Sequence, residues 1–128
     1  MPGESADAFS ARRTAVGAMT GSPFFVSGTG QFTTRFLEAG RGRWLGKEGA
    51  EGVYAIGISD PPRGLAFKID DGGGRARYAV AMDLVGKLGE LPGGPPDSLA
   101  EYVRPRLRNA RGIRVGELVA EVPLEGGA

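Results

Sequence analysis

The chain has 128 residues, 41% of them hydrophobic, which fits one globular domain with a real core and argues against disorder. Its net charge of +1 makes no electrostatic case for nucleic acid or an anionic membrane as a partner. With neither cysteine nor histidine it holds no Ser-His-Asp or Cys-His triad, no thiol redox chemistry and no Cys/His zinc site. General acid–base work falls to Lys, Asp, Glu or Tyr, and any metal would need oxygen ligands.

The first residues, MPGESADAFSARR, lack the apolar core of a signal peptide. No apolar run is long enough to span a bilayer, so a cytoplasmic protein is the default expectation. Residues 1–9 and 123–128 are expected to be flexible ends of a single domain. Ser5 to Met19 reads as a helix capped by Ser5, with Phe9, Val16 and Met19 roughly on one face. Gly21, Ser22 and Pro23 stop it. SGTGQF (Ser27 to Phe32) precedes the next helix. Glycines there can serve an anion, but the pattern is neither a Walker sequence nor a dinucleotide fingerprint. A turn that gathers Phe24, Phe25 and Phe32 into the core is the stronger reading. Thr33 to Ala39 is a short helix with Phe36 and Leu37 inward and Gly40 as its stop.

Strands are expected at Arg43 to Lys47, at Gly52 to Ile58 and at Gly64 to Ile69, the last two joined as a hairpin through Ser59-Asp60-Pro61-Pro62-Arg63-Gly64. Arg75 to Leu88 is apolar nearly all round and reads as a buried helix, with Asp71 just before its start. Glu90 to Pro96 is a loop. Leu99 to Leu107 reads as a helix that Pro105 ends or kinks. Gly112 to Val122 alternates enough for a final edge strand. Arg104, Arg106, Arg108 and Arg111 form the densest basic group and read as a solvated face. The sum is an α+β protein: an antiparallel sheet of three to four strands packed by helices.

Two motifs stand out between Gly46 and Arg75. In GKEGAEG, a lysine beside a strand can place an ammonium over a substrate carboxylate while the strand backbone donates amides to a carbonyl. The plainer alternative is a turn shaped by Gly49 and Gly52, with Lys47 and Glu51 paired on the surface. In FKIDDGGG, Lys68 either points to solvent, with Asp70 and Asp71 forming an Asx turn and a helix cap, or is partly desolvated and assists a nucleophile. The aspartate pair fits no known Ca²⁺ or Mg²⁺ loop, so no metal site and no cofactor is assigned.

Taken in order, FFVSGTGQFTTRFLEA, LGKEGAEGVYAIGI, GLAFKIDDGGGRARYAVAMDLVGKLG and NARGIRVGEL resemble the C-terminal part of a bacterial asparaginase family related to the serine β-lactamase and glutaminase fold. The resemblance covers roughly Ser10 to Val119. It implies hydrolysis of L-asparagine to L-aspartate and ammonia by a serine nucleophile that lysine activates. It implies a catalytic role for Lys68 and a substrate pocket lined by Lys47, Gly49, Ala50, Glu51, Asp70, Asp71 and Gly72. Glu48 stands where the Lys-Thr-Gly strand of that fold has its hydroxyl. Ala55 stands where some members carry a metal-binding cysteine.

Family members are longer, with a nucleophilic Ser-x-x-Lys in their N-terminal half. No Ser-x-x-Lys occurs here: Ser5, Ser10, Ser22, Ser27, Ser59 and Ser98 are followed three residues on by Ala8, Arg13, Phe25, Gly30, Pro62 and Glu101. The expected partners are therefore an amide substrate and either a second copy of the chain or a partner chain that supplies the missing half. The competing expectation is a non-catalytic remnant or a small binding module that keeps the fold.

Overall fold

The computed structural model describes residues 3–125. The elements run α1 (Ala6–Gly21), α2 (Pro23–Ser27), α3 (Phe32–Gly40), β1 (Trp44–Glu48), β2 (Val53–Ser59), β3 (Pro62–Lys68), α4 (Arg77–Lys87), a 3₁₀ turn (Asp97–Leu99), α5 (Ala100–Val103), β4 (Arg106–Arg108) and β5 (Arg114–Glu117). The architecture is α+β, with an antiparallel sheet of order β1-β2-β3 and a separate two-stranded sheet of β4 and β5. The chain divides into two compact units: residues up to Lys47 with Ala55–Leu65, and Glu48–Tyr54 with Ala66 onward. Part of the expected flexibility at the ends falls on residues 1–2 and 126–128, which lie outside the described residues.

In the first unit, Ser5 caps α1 as its sequence position predicts, its hydroxyl accepting from the Ala8 amide at 3.2 Å. None of the residues of α1 is buried, and Phe9 and Val16 are exposed. The expectation that a turn gathers Phe24 and Phe25 into the core is corrected. They sit on the short helix α2 and face outward, Phe25 at 85% exposure. Phe32 is buried as expected and opens α3. There the apolar residues fall three and four apart, and Phe32, Phe36 and Leu37 enter the core. Phe36 stacks on Phe32 at 5.6 Å and meets Trp44 of β1 at 5.0 Å. A side chain at Gly40 would come within 2.5 Å of the Trp44 Cβ, so the last turn of α3 requires glycine to let the tryptophan in. Thr34, buried in the same helix, donates to the Gly28 carbonyl at 2.6 Å. The glycine stretch before α3 is thus tied back onto the helix.

In the second unit, α4 begins at Arg77 and not at Arg75, and Ala76 at its N-cap makes no side-chain capping bond. Asp71 is therefore not the cap; it closes an Asx turn by accepting from the Gly73 amide at 2.8 Å. The helix is not buried all round. Ala79, Ala81, Met82, Leu84 and Val85 form one inward face, and Gly86 and Lys87 are exposed. Tyr54, fully buried, meets Phe67 at 6.1 Å and Tyr78 at 6.3 Å, and Tyr78 meets Tyr102 edge-on at 5.7 Å. Asp83 on α4 holds the chain's end: its carboxylate accepts from the Val122 amide at 2.9 Å and from Lys87, which also donates to the Val122 carbonyl.

The expected helix from Leu99 to Leu107 is corrected to a 3₁₀ turn and one helical turn ending at Val103. Pro105 disfavours helical backbone at Arg104, and the chain leaves as a strand. The final strand is likewise shorter than expected. β5 spans four residues and pairs with β4, with Arg106 opposite Glu117 and Arg108 opposite Arg114.

Candidate functional site

The GKEGAEG turn (residues 46–52) and the IDDGGG loop (residues 69–74) meet in space. β1 and β2 are joined by a tight turn in which the Val53 amide donates to the Ala50 carbonyl at 3.3 Å. Its two central residues, Glu51 at φ 58 and Gly52 at φ 76, are both left-handed. That is the signature of the turn type whose twist suits a two-strand connection. Glycine adopts it freely; Glu51 does not, and a non-glycine residue there costs about 1 kcal/mol. The Gly49 amide closes the outer bond of the turn onto the Val53 carbonyl at 2.9 Å.

Gly52 is where the two segments touch. Its carbonyl accepts from the Ile69 amide at 3.1 Å. An added Cβ at Gly52 would lie 3.0 Å from the Ile69 Cβ and 3.2 Å from both the Gly72 carbonyl carbon and the Gly73 oxygen. Gly72, at φ 71, passes close to the Glu51 backbone. The glycines noted in the sequence therefore have a physical cause: two backbone segments lie closer than side chains would allow.

Among the expected site residues, Gly49, Ala50 and Glu51 form the turn, and Gly72 lies against it. Asp71 fixes its neighbour's backbone and Asp70 is exposed beside it. Lys68 ends β3 and is exposed, with its amine 3.4 Å from the Ile69 carbonyl. Lys47 lies on β1 in the first unit, exposed and engaged in an interaction of its own. Among the described residues no three carboxylates gather as metal ligands would.

Sequence reasoning missed Arg77. Its guanidinium donates to the Gly49 carbonyl at 3.2 Å and to the Tyr78 hydroxyl at 3.2 Å, and it lies 5.1 Å from the Tyr78 ring centre. It thus ties the start of α4 to the GKEGAEG turn across 28 residues of chain. The one signal available in the sequence was its place: an arginine at the first position of a helix that follows three glycines.

The assembly offers a fixed backbone turn, closed on one side by a second glycine loop and held by a guanidinium, with a lysine and carboxylates at its rim. Such a turn can present amide donors in a set geometry. The family model for L-asparaginase II matches residues 2–120. No curated protein matches the chain.

Proposed function

This chain belongs to the L-asparaginase II family, and on that premise we propose that it carries one wall of a site that hydrolyses L-asparagine to L-aspartate and ammonia. In this reading the Gly49–Gly52 turn and Asp70, Asp71 and Gly72 hold the substrate amide against fixed backbone. Lys47 neutralises the substrate's α-carboxylate and Lys68 moves a proton at the reacting centre. Serine attacks the amide carbon, ammonia leaves with a proton from the lysine side, and water releases aspartate from the acyl-serine. No Ser-x-x-Lys lies within the 128 residues, so the nucleophile comes from another segment or another chain. A relation of the whole fold to serine β-lactamases belongs to the same proposal.

The observation that carries this reading is the meeting of the two motifs at Gly52, which turns two separate glycine-rich stretches into one surface. The test is ammonia release from L-asparagine by the pure chain, alone and after addition of a segment bearing Ser-x-x-Lys. We expect no release from the chain alone, release from the assembled pair, and loss of kcat in the pair on Lys68→Ala with folding unchanged. Release by the isolated chain would place the nucleophile within it and overturn the split arrangement.

A second reading is favoured by one observation: Lys68 is exposed and rests on its neighbour's carbonyl. The chain is then a binding module without catalysis. Saturable binding of L-asparagine by calorimetry, with no turnover in any assembled state, would decide for it.

A further inference from the structure

The net charge of +1 conceals a segregation. Arg104, Arg106, Arg108, Arg111 and Arg114 fall within eleven residues that contain no acid, while the rest of the chain holds 15 acidic and 11 basic residues. Glu117 meets Arg114 at 3.0 Å and Arg104 at 3.6 Å. The Arg106 and Arg111 side chains make no hydrogen bond or ion pair among the described residues.

The backbone around these arginines is an open edge. Among the described residues β4 pairs only with β5. Pro105 accepts from the Leu118 amide at 2.9 Å, and the Asn109 amide donates to the Ile113 carbonyl at 3.0 Å, so residues 105 and 109 face β5. Backbone groups in a strand alternate sides, which turns the N–H and C=O of Arg106 and Arg108 away from β5. Proline blunts an edge only where its missing N–H would have faced outward; Pro105 faces inward and leaves the outer donors intact. Along the same stretch Arg104, Arg106 and Arg108 are exposed while Pro105 and Leu107 are half-buried. The three arginines thus share a face at a spacing of about 6.6 Å. A concavity of about 640 Å³ opens at the start of β4, lined by Ala100, Glu101, Tyr102, Arg104, Pro105 and Arg106.

We propose that the free edge of β4 is a docking site for an extended acidic segment of another protein, one with a carboxylate at every second position. Such a strand adds to β4 through the outer groups of Arg106 and Arg108. Its carboxylates fall opposite the arginines, and an apolar side chain of the strand meets Tyr102 and Pro105, since Glu101 also lines the concavity. The same charges exclude a second copy of this edge, because like charges directly opposite are destabilising. Ile113 at 57% and Val115 at 64% exposure add apolar surface suited to a protein partner and not to a phosphate backbone.

The probe is a fluorescein-labelled (Glu-Val)₄ peptide, read by anisotropy at low and at moderate salt. The controls are a (Glu-Pro)₄ peptide of equal charge and a single-stranded oligonucleotide of eight phosphates. We expect binding of (Glu-Val)₄ that weakens at least about tenfold in Arg106→Glu/Arg108→Glu, as charge reversal at a steering surface does. The neutral pair Arg106→Gln/Arg108→Gln should fall between, with the far-UV spectrum of both variants unchanged. Should the variants fail to fold, the comparison between peptides on the native chain still decides. Equal affinity for (Glu-Pro)₄ removes strand addition and overturns the proposal, as does tighter binding of the oligonucleotide or no binding at all.

Discussion

Helices α1 and α3 belong to the same unit and meet solvent in opposite ways. α1 has 16 residues and buries none; α3 has nine and buries six, among them two phenylalanines and two threonines. α1 stands on local terms: the Ser5 cap, the Arg12–Glu4 ion pair at 3.0 Å, and hydroxyls of Thr14 and Thr20 returned to carbonyls four residues back. α3 stands on packing: Phe36 between Phe32 and Trp44, and Thr34 on the Gly28 carbonyl. A helix can thus be secured by its own backbone or by what it displaces from water, and the first kind tolerates change that the second does not.

Substitutions rank this contrast. Phe36→Ala should cost about 3–5 kcal/mol in denaturant unfolding, the range for a fully buried phenylalanine. A result near zero would mean that α3 is held as α1 is. Gly40→Ala forces a methyl group into Trp44, and we expect about 1–3 kcal/mol of destabilisation with a shifted tryptophan emission. Thr34→Val keeps the shape and leaves the Gly28 carbonyl without its donor, for about 1–2 kcal/mol. Ser5→Ala acts on α1 alone and should cost about 1 kcal/mol, seen as faster amide exchange in the first turn of that helix. Phe25→Ala, at the exposed end of the scale, should fall within about 0.5 kcal/mol. A loss as large as that of Phe36→Ala would show that the α1–α2 surface is covered in solution.

The same contrast explains what the sequence disclosed. The presence of α1 was readable because Ser5 and the alanines that follow are local signals. The reading of Phe24 and Phe25 as core went wrong because an apolar run states that residues lie together and not whether anything covers them. α3 was readable in both respects, since Phe36 and Leu37 fall where Gly40 and Trp44 leave room. At the candidate site, the glycines flagged the turn. Its contact with Ile69 and Gly72 depends on a β-sheet that returns the chain, and the two motifs read one after the other do not state that they touch. Arg77 escaped for the same reason: its partner carbonyl lies 28 residues away. The arginines of β4 were read as solvated, and they are; what the count of charges hid was that no acid lies among them.

The turn at the tip of the β4–β5 hairpin has a consequence for handling the protein. Asn109 holds it, its side-chain carbonyl accepting from the Arg111 amide at 2.9 Å and the Ile113 amide at 3.0 Å, and Arg111 stands exposed beside Gly112 at φ 76. Trypsin needs an arginine on an exposed loop that can be drawn out, and this is such a place. The bond after Arg104 is protected by Pro105, whereas the Arg111–Gly112 bond is open to cleavage. A single nick there would divide the chain into a long N-terminal piece and a short C-terminal tail. The two would stay together through the β4–β5 pairing and through the hold of Asp83 and Lys87 on Val122.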